Sequence, residues 1–80
     1  MAQGDPLDPL PSIAVGLYRP YKGNCYEVLG VARHSETHDA LVVYRPLYGE
    51  GALWVRPYEM FTGTMVVDGV ERRRFERETG

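Results

Sequence analysis

The sequence predicts a mainly β protein, specifically a small SH3-like barrel or roll of about five antiparallel strands with one short helical turn. From residue 13 onward the chain is rich in β-branched and aromatic residues and is punctuated by glycine, a texture typical of short strands. The strand candidates follow one another closely, as in small closed or nearly closed barrels. An OB-type barrel ranks second because it usually needs a longer chain.

The chain has 80 residues, which is enough for one domain. Prolines 6, 9 and 11 disfavour a helix or central strand near the N-terminus, so residues 1–12 are predicted to be an extended or disordered segment. A single β-barrel domain is predicted for residues 13–76. Residues 77–80 are predicted to form a frayed C-terminus.

Three strands are predicted in the first half of the domain. The first, 15–21, contains Pro20 and should therefore lie at a sheet edge. The second, 24–34, contains Gly30, which indicates a bulge or bend. The third, 39–48, is apolar on both faces, as expected of a central strand.

A fourth strand, 52–57, is predicted to lead into a single helical turn at 57–61, with Pro57 at the first helical position. The last element, 64–75, is predicted to be a hairpin. Its two-residue loop is Asp68-Gly69, which suits a type I′ turn because both positions need positive φ. This register divides the arginine triplet 72–74 between the two faces of the hairpin.

The formal net charge is −2 and no long block of one sign is present, so the sequence shows no general phosphate-binding surface. The one cysteine, Cys25, cannot form an internal disulfide. Neither a signal peptide nor an apolar run of the ~20 residues needed for a membrane span is present. We therefore expect a cytoplasmic protein without membrane association, either a monomer or a weak dimer.

The stretch "ARHSETHD", residues 32–39, gathers several residue types that occur in catalytic sites. Acyl transfer would need Ser35 or Thr37 beside His34 or His38, but neighbours on one short turn rarely provide nucleophile, base and oxyanion hole together. Two histidines and a carboxylate straddling a turn also fall short of a zinc signature. We therefore predict no catalytic residue, no metal site and no cofactor, and a small histidine-based or metal-dependent hydrolase ranks lowest.

A polar turn is the leading explanation of the same stretch, with Ser35 and Thr37 bonding to nearby backbone amides. A ligand-contacting loop is the alternative. If the loop is structural, Glu36 should bond to amides of its own turn or pair with Arg19 or Arg56.

Trp54 and Arg56 alternate with Leu53 and Val55, so the strand pleat predicts that Trp54 and Arg56 share a face. That face could point outward and bind a ligand by stacking, or Trp54 could belong to the core. The predicted ligand-binding residues are His34, Ser35, Glu36, Thr37, Tyr18, Tyr44, Trp54 and Arg56.

Several short motifs resemble a family of uncharacterised bacterial proteins, DUF1653, over residues 16 to about 75. The motifs are Tyr18-Arg19, Tyr21-Lys22-Gly23, His34-Ser35-Glu36-Thr37, Trp54-Val55-Arg56-Pro57 and Arg74-Phe75. The resemblance implies an SH3-like β-roll and no established activity. It also implies that the His-Ser-Glu-Thr loop belongs to the family pattern.

The leading functional hypothesis is a non-catalytic binding module for a peptide, a protein partner or a small ligand. The alternative is a barrel that binds single-stranded nucleic acid, particularly RNA, by stacking on the same aromatic residues. The net charge and the divided arginine triplet make nucleic acid the less favoured partner.

Overall fold

A computed structural model describes residues 9–21 and 23–78. In chain order the elements are β1 (Gly16–Pro20), β2 (Tyr26–Arg33), β3 (Ala40–Pro46), β4 (Trp54–Pro57), α1 (Tyr58–Phe61), β5 (Thr64–Val67), β6 (Val70–Arg73) and β7 (Phe75–Arg77). One antiparallel sheet has the order β4-β3-β2-β1-β7, and β5 and β6 form a separate two-stranded sheet. The mainly β class is confirmed. The described residues form seven strands, more than the predicted five or so, partly because a bend at Arg74 separates β6 from β7.

The sequence predicts a closed or nearly closed barrel, and the five-stranded sheet is open, with β4 and β7 as its edges. The first strand was predicted to be an edge, but β1 lies between β2 and β7. Both edge strands are short: β4 ends at Pro57, and β7 has three residues. In a closed barrel, β4 and β7 would pair through their backbones. Here, side chains of the two strands approach each other instead. The guanidinium carbon of Arg56 on β4 lies 5.6 Å from the ring centroid of Phe75 on β7.

The core lies on the concave face of the five-stranded sheet, and Phe61 of α1 covers it. Phe61 is 1% exposed and stacks parallel to Phe75 with ring centroids 4.2 Å apart. The other buried apolar residues are Tyr18, Val28, Val42 and Tyr44. Pro57 is still extended, with φ −52° and ψ 137°, so it caps α1 and is not the first helical residue that the sequence predicts.

A bulge in β2 keeps its apolar residues on the concave face, as Gly30 led us to expect. Val28 lies opposite Tyr44, the register shifts between Val28 and Gly30, and Val31 then lies opposite Val42. Without the extra residue, positions 28 and 31 would point to opposite faces. The bulge therefore places Val31 on the same face as the core residue Val28.

The predicted hairpin turn is confirmed. Asp68 and Gly69 both have positive φ, at 52° and 78°, as a type I′ turn requires. The register pairs Val67 with Val70 and Met65 with Arg72, also as predicted.

The ordered sheet continues past the predicted domain end at residue 76. Arg77 pairs with Tyr18, and the Glu78 N–H donates to the Leu17 carbonyl oxygen at 2.8 Å. Arg77 is therefore the last residue of β7, and this hydrogen bond holds Glu78 against β1. Residues 1–8, most of the predicted N-terminal segment, lie outside the described residues, and residues 9–12 have no regular secondary structure. No helix in the described part of the chain is long and apolar enough to cross a membrane.

The buried Tyr18 phenol makes the free energy of unfolding depend on pH in the alkaline range. Its hydroxyl donates to the Ala14 carbonyl oxygen at 2.7 Å, and burial raises its pKa above the ordinary value of 10.0, although Arg77 opposes the shift. A raised folded-state pKa means that the folded protein holds this proton more tightly than the unfolded chain. Its contribution is present below pH ~10 and is lost as pH rises through the folded-state pKa.

We expect the free energy of unfolding to fall between pH ~9 and ~11, and to fall less steeply in Tyr18→Phe. Urea melts across this range measure both slopes. Tyr18→Phe lacks the hydrogen bond to Ala14 at every pH, so this loss does not affect the comparison of the two slopes. Equal slopes in the two proteins would contradict the assignment to Tyr18.

Candidate functional site

The predicted ligand-binding residues lie at opposite ends of the five-stranded sheet. We call the end where β1 and β3 finish and β2, β4 and β7 begin the mouth, and the other the far end. Trp54 begins β4 at the mouth and Arg56 follows two residues later, whereas residues 34–37 connect β2 to β3 at the far end. The sequence placed them on one surface; the fold brings together Tyr44, Trp54 and Arg56 and leaves the loop apart.

At the far end, His34 organises the loop through its ring. Nδ1 accepts hydrogen bonds from the N–H groups of Glu36 (3.0 Å) and Thr37 (3.1 Å). The His34 backbone closes the same turn, since its N–H donates to the Asp39 carbonyl at 2.8 Å and its carbonyl accepts from the His38 N–H at 2.8 Å. A ring nitrogen that accepts amide protons carries no proton itself, so this geometry requires the tautomer with its proton on Nε2.

The other loop residues contribute unequally to the turn. Thr37 Oγ1 accepts from the Asp39 N–H at 3.2 Å, as the turn prediction expects. Ser35 and the Glu36 carboxylate are exposed and form no hydrogen bond or ion pair within residues 9–21 and 23–78. The prediction that Glu36 anchors the loop was therefore wrong.

The two arginines proposed as partners of Glu36 are engaged elsewhere. Arg19 pairs with Glu78 at 2.6 Å, and Arg56 lies over Phe75. A far-end pocket does exist beside His34 and Thr37, lined also by Leu41, Pro57 and Tyr58. Across the described chain no three His, Cys, Asp or Glu side chains are grouped closely enough to hold a metal ion.

At the mouth, aromatic side chains and Arg56 line a cleft of about 290 Å³. Its lining residues are Tyr26, Tyr44, Pro46, Tyr48, Trp54 and Arg56. We call this the mouth cleft. Tyr26 packs edge-to-face on Tyr44, with ring centroids 5.2 Å apart, and lies 6.4 Å from the ring of Tyr48. Trp54 is 58% exposed and Tyr48 50% exposed, so the aromatic lining is open to solvent.

Trp54 and Arg56 share a face, as predicted, but that face is the concave one. Trp54 lies opposite the buried Tyr44, and Arg56 lies opposite the buried Val42. Val55, between them, is exposed on the convex side. Trp54 lies on the inward-facing side of β4, but its ring remains exposed because it is close to the mouth. Trp54 is therefore not part of the core, and its exposed ring lies on the same side of the sheet as the core.

Arg56 contributes a buried donor to this cleft. Its Nε is buried and has no hydrogen-bond acceptor among the described residues. The ion pairs of the described chain, Arg19–Glu78 and Arg45–Glu27, do not involve it. Leaving a buried donor without an acceptor costs about 1–3 kcal/mol. An oxyanion reaching this guanidinium would therefore form charge-assisted bonds with a group that no carboxylate in residues 9–21 and 23–78 neutralises.

Comparisons with known proteins now place the chain. The model of the family described as "Protein of unknown function (DUF1653)" matches residues 16–77. The chain belongs to this DUF1653 family. A crystal structure of a DUF1653 protein from Bordetella bronchiseptica is 32% identical, with a TM-score of 0.72 over 85% of this chain and 94% of that one. No curated protein sequence matches significantly.

Two tyrosines of this DUF1653 domain belong to the cleft although the sequence analysis did not assign them to it. Hydrogen bonding with the Tyr48 side chain raises the pKa of Tyr26, and burial raises it further, while Arg56 opposes the shift. Tyr26 is therefore a neutral phenol at physiological pH. Its place could have been found from strand alternation, because it lies two residues before the core residue Val28 and so shares its face.

Tyr18, predicted to bind ligand, lies in the core of the DUF1653 domain. It is 8% exposed and packs edge-on against Phe61, with ring centroids 5.4 Å apart. Its hydroxyl is bonded to the Ala14 carbonyl oxygen. These contacts give Tyr18 a clear role in holding β1 and the N-terminal segment against the core.

Proposed function

We propose that this DUF1653 domain is a non-catalytic binding module and that its ligand enters the mouth cleft. The observation that carries the proposal is the pairing of the half-buried Arg56, whose buried Nε has no acceptor among the described residues, with the exposed rings of Trp54 and Tyr48. Aromatic faces bind planar groups by stacking, and a guanidinium binds carboxylates and phosphates.

The cleft defines the chemical features of its ligand. No carboxylate is among its described lining residues, so nothing in the lining competes for Arg56. Its volume of about 290 Å³ is at the lower limit of ordinary ligand pockets, which suits one planar ring and its anionic substituent better than a whole drug-sized molecule. The ligand can be a small molecule or one group of a larger partner.

The far-end loop and Tyr18 support this site without touching the ligand. His34 uses Nδ1 to bind its own turn, and the loop lies at the end of β2 and β3 opposite to Trp54. In this proposal residues 34–37 fix the connection between the two longest strands, which carry Tyr26 and Tyr44 to the mouth.

Trp54 is the only tryptophan of the chain, so its fluorescence reports on the cleft directly. We expect saturable changes with AMP and with N-acetylphenylalanine, each of which combines a ring with an anion, and much weaker changes with N-acetylphenylalanine amide. Arg56→Met should weaken binding of the two anionic probes about 10- to 100-fold, the equivalent of a lost hydrogen bond to a charged group.

Leu53→Ala is the matched control, because Leu53 neighbours Trp54 in sequence, is 64% exposed and does not line the cleft. It should bind both anionic probes like the unmodified protein. Equal responses to acid and amide, or unchanged binding in a folded Arg56→Met, would refute the proposed site.

A further inference from the structure

The mouth cleft adjoins a second cleft, which adjoins a third, and each neighbouring pair has lining residues in common. Arg56 lines both the mouth cleft and a neighbouring cleft that also includes Tyr21, Arg74 and Phe75. Tyr21 in turn belongs to a third cleft, lined by Arg19, Arg72, Arg73 and Glu76. We call the three adjoining clefts together the basic groove. Its lining residues extend from Trp54 on β4 to Arg72 and Arg73 at the base of the β5–β6 hairpin.

Aromatic and guanidinium groups alternate along the basic groove. Arg56 lies over Phe75, and the guanidinium carbon of Arg72 lies 6.0 Å from the ring centroid of Tyr21. The Tyr21 N–H donates to the Arg74 carbonyl oxygen at 3.2 Å, which ties the β1–β2 loop to the hairpin base. This backbone contact therefore holds Tyr21 next to the hairpin that carries the neighbouring arginines.

The charge of the groove differs in sign from that of the whole chain. Arginines 56, 72, 73 and 74 line it and form no ion pair within the described residues, and Glu76 is the one carboxylate among its described lining residues. Arg19 also lines the groove, but it pairs with Glu78. Other acidic groups are more distant: Glu27 pairs with Arg45 on the convex face, and Glu36 is at the far end. The net charge of −2 is therefore the sum over surfaces whose charges differ in sign.

The division of the arginine triplet does not prevent a common surface. Arg74 lines the second cleft, whereas Arg72 and Arg73 line the third, so all three lie along the same groove. The bend at Arg74 between β6 and β7 interrupts the alternation on which the sequence argument depended.

We propose that the basic groove binds a single strand of nucleic acid, with a base stacked on Trp54 and the following phosphates along Arg56, Arg74 and Arg72. This inference rests on the proposed function and names the ligand class of that site. A chain of alternating bases and phosphates matches a path of alternating rings and guanidiniums, which is how proteins bind single strands without reading sequence. A duplex does not fit, because its bases are already stacked.

Fluorescence polarisation with labelled oligo(A) RNA and oligo(dA) DNA of about 12 nucleotides tests the proposal, since OB folds, which are of similar size, contact ~4–16 nucleotides. We expect the RNA to bind at least ten-fold more tightly than AMP and than the matching duplex. Between ~50 and ~200 mM salt the logarithm of affinity should fall with a slope of about −2, corresponding to three phosphate contacts. The DNA arm shows whether the 2′-hydroxyl matters.

Arg72→Gln/Arg74→Gln should weaken RNA binding five-fold or more and leave the AMP response of Trp54 unchanged. Arg45→Gln, which removes an arginine from the convex face, should change RNA binding less than two-fold. If AMP changes Trp54 fluorescence but the 12-mer binds no more tightly than AMP, the groove proposal is overturned and the cleft proposal is retained. If neither AMP nor the 12-mer binds, both proposals are overturned. Equal binding of an oligoglutamate peptide would show an acidic-peptide site and overturn the nucleic-acid proposal.

Discussion

Phe61→Ala should lower the free energy of unfolding by about 3–5 kcal/mol, the cost of removing a buried phenylalanine ring. Phe61 is 1% exposed and contacts three rings: it stacks on Phe75 and lies 5.4 Å and 5.6 Å from the centroids of Tyr18 and Tyr44. α1 contributes this one buried side chain. Removing the ring therefore both opens a cavity and releases the helix that covers the sheet.

The effect is large because the sheet is open. In a closed barrel, backbone pairing would hold the two edges, but here Phe61 fills the space beside Phe75 on one edge while Arg56 reaches it from the other. Small domains have only ~5–15 kcal/mol of stability in total. Phe61→Ala should consequently be partly unfolded at 37 °C.

Urea melts followed by far-ultraviolet circular dichroism measure this loss, and Phe61→Leu provides a value if the alanine variant does not fold. Leucine keeps much of the volume and should cost less than half as much as alanine. Met60→Ala is the control, since Met60 occupies the same helix but is 46% exposed, and it should change stability by no more than ~0.5 kcal/mol. Equal losses in Met60→Ala and Phe61→Ala would contradict the role given to the ring.

Local chemistry in the sequence predicted most of the fold. Asp68 and Gly69 specify the hairpin loop because few residue pairs adopt positive φ, and Gly30 specifies the bulge region in β2. Barrel closure could not be predicted in this way, because it depends on whether two edge strands distant in sequence are long enough to pair. Pro57 ends β4 and a bend at Arg74 delays β7, so neither edge has the length.

The candidate site was predicted less completely, since a cleft depends on which end of a strand each residue occupies. Alternation placed Trp54 and Arg56 on one face, and the register confirms this. Alternation does not say which face is concave or that residues 34–37 lie at the opposite end. The closeness of His34 and Glu36 in sequence also does not reveal that the His34 ring accepts a hydrogen bond from the Glu36 backbone N–H. The Glu36 carboxylate has no partner among the described residues.

His34→Ala should destabilise the domain by about 1–2 kcal/mol. The ring accepts two amide hydrogen bonds at Nδ1, and a typical hydrogen bond contributes ~0.5–1.5 kcal/mol. Comparable caps, in which one side chain binds the amides two and three residues later, cost ~0.5–2 kcal/mol when replaced by alanine. His38, with φ 68°, depends on this turn to hold a left-handed conformation that histidine adopts infrequently.

Three further variants separate the acceptor from other properties of His34. Asparagine has an acceptor oxygen on the same carbon position as Nδ1, so His34→Asn should retain at least half of the lost stability, whereas His34→Gln, with its carbonyl one bond further, should resemble alanine. Glu36→Ala keeps the donating amide and should be neutral within ~0.5 kcal/mol. Long-range proton–nitrogen NMR at neutral pH should show the His34 proton on Nε2. A proton on Nδ1, or equal losses in the asparagine and alanine variants, would mean that the ring does not organise the loop and that its presence in the family pattern has another cause.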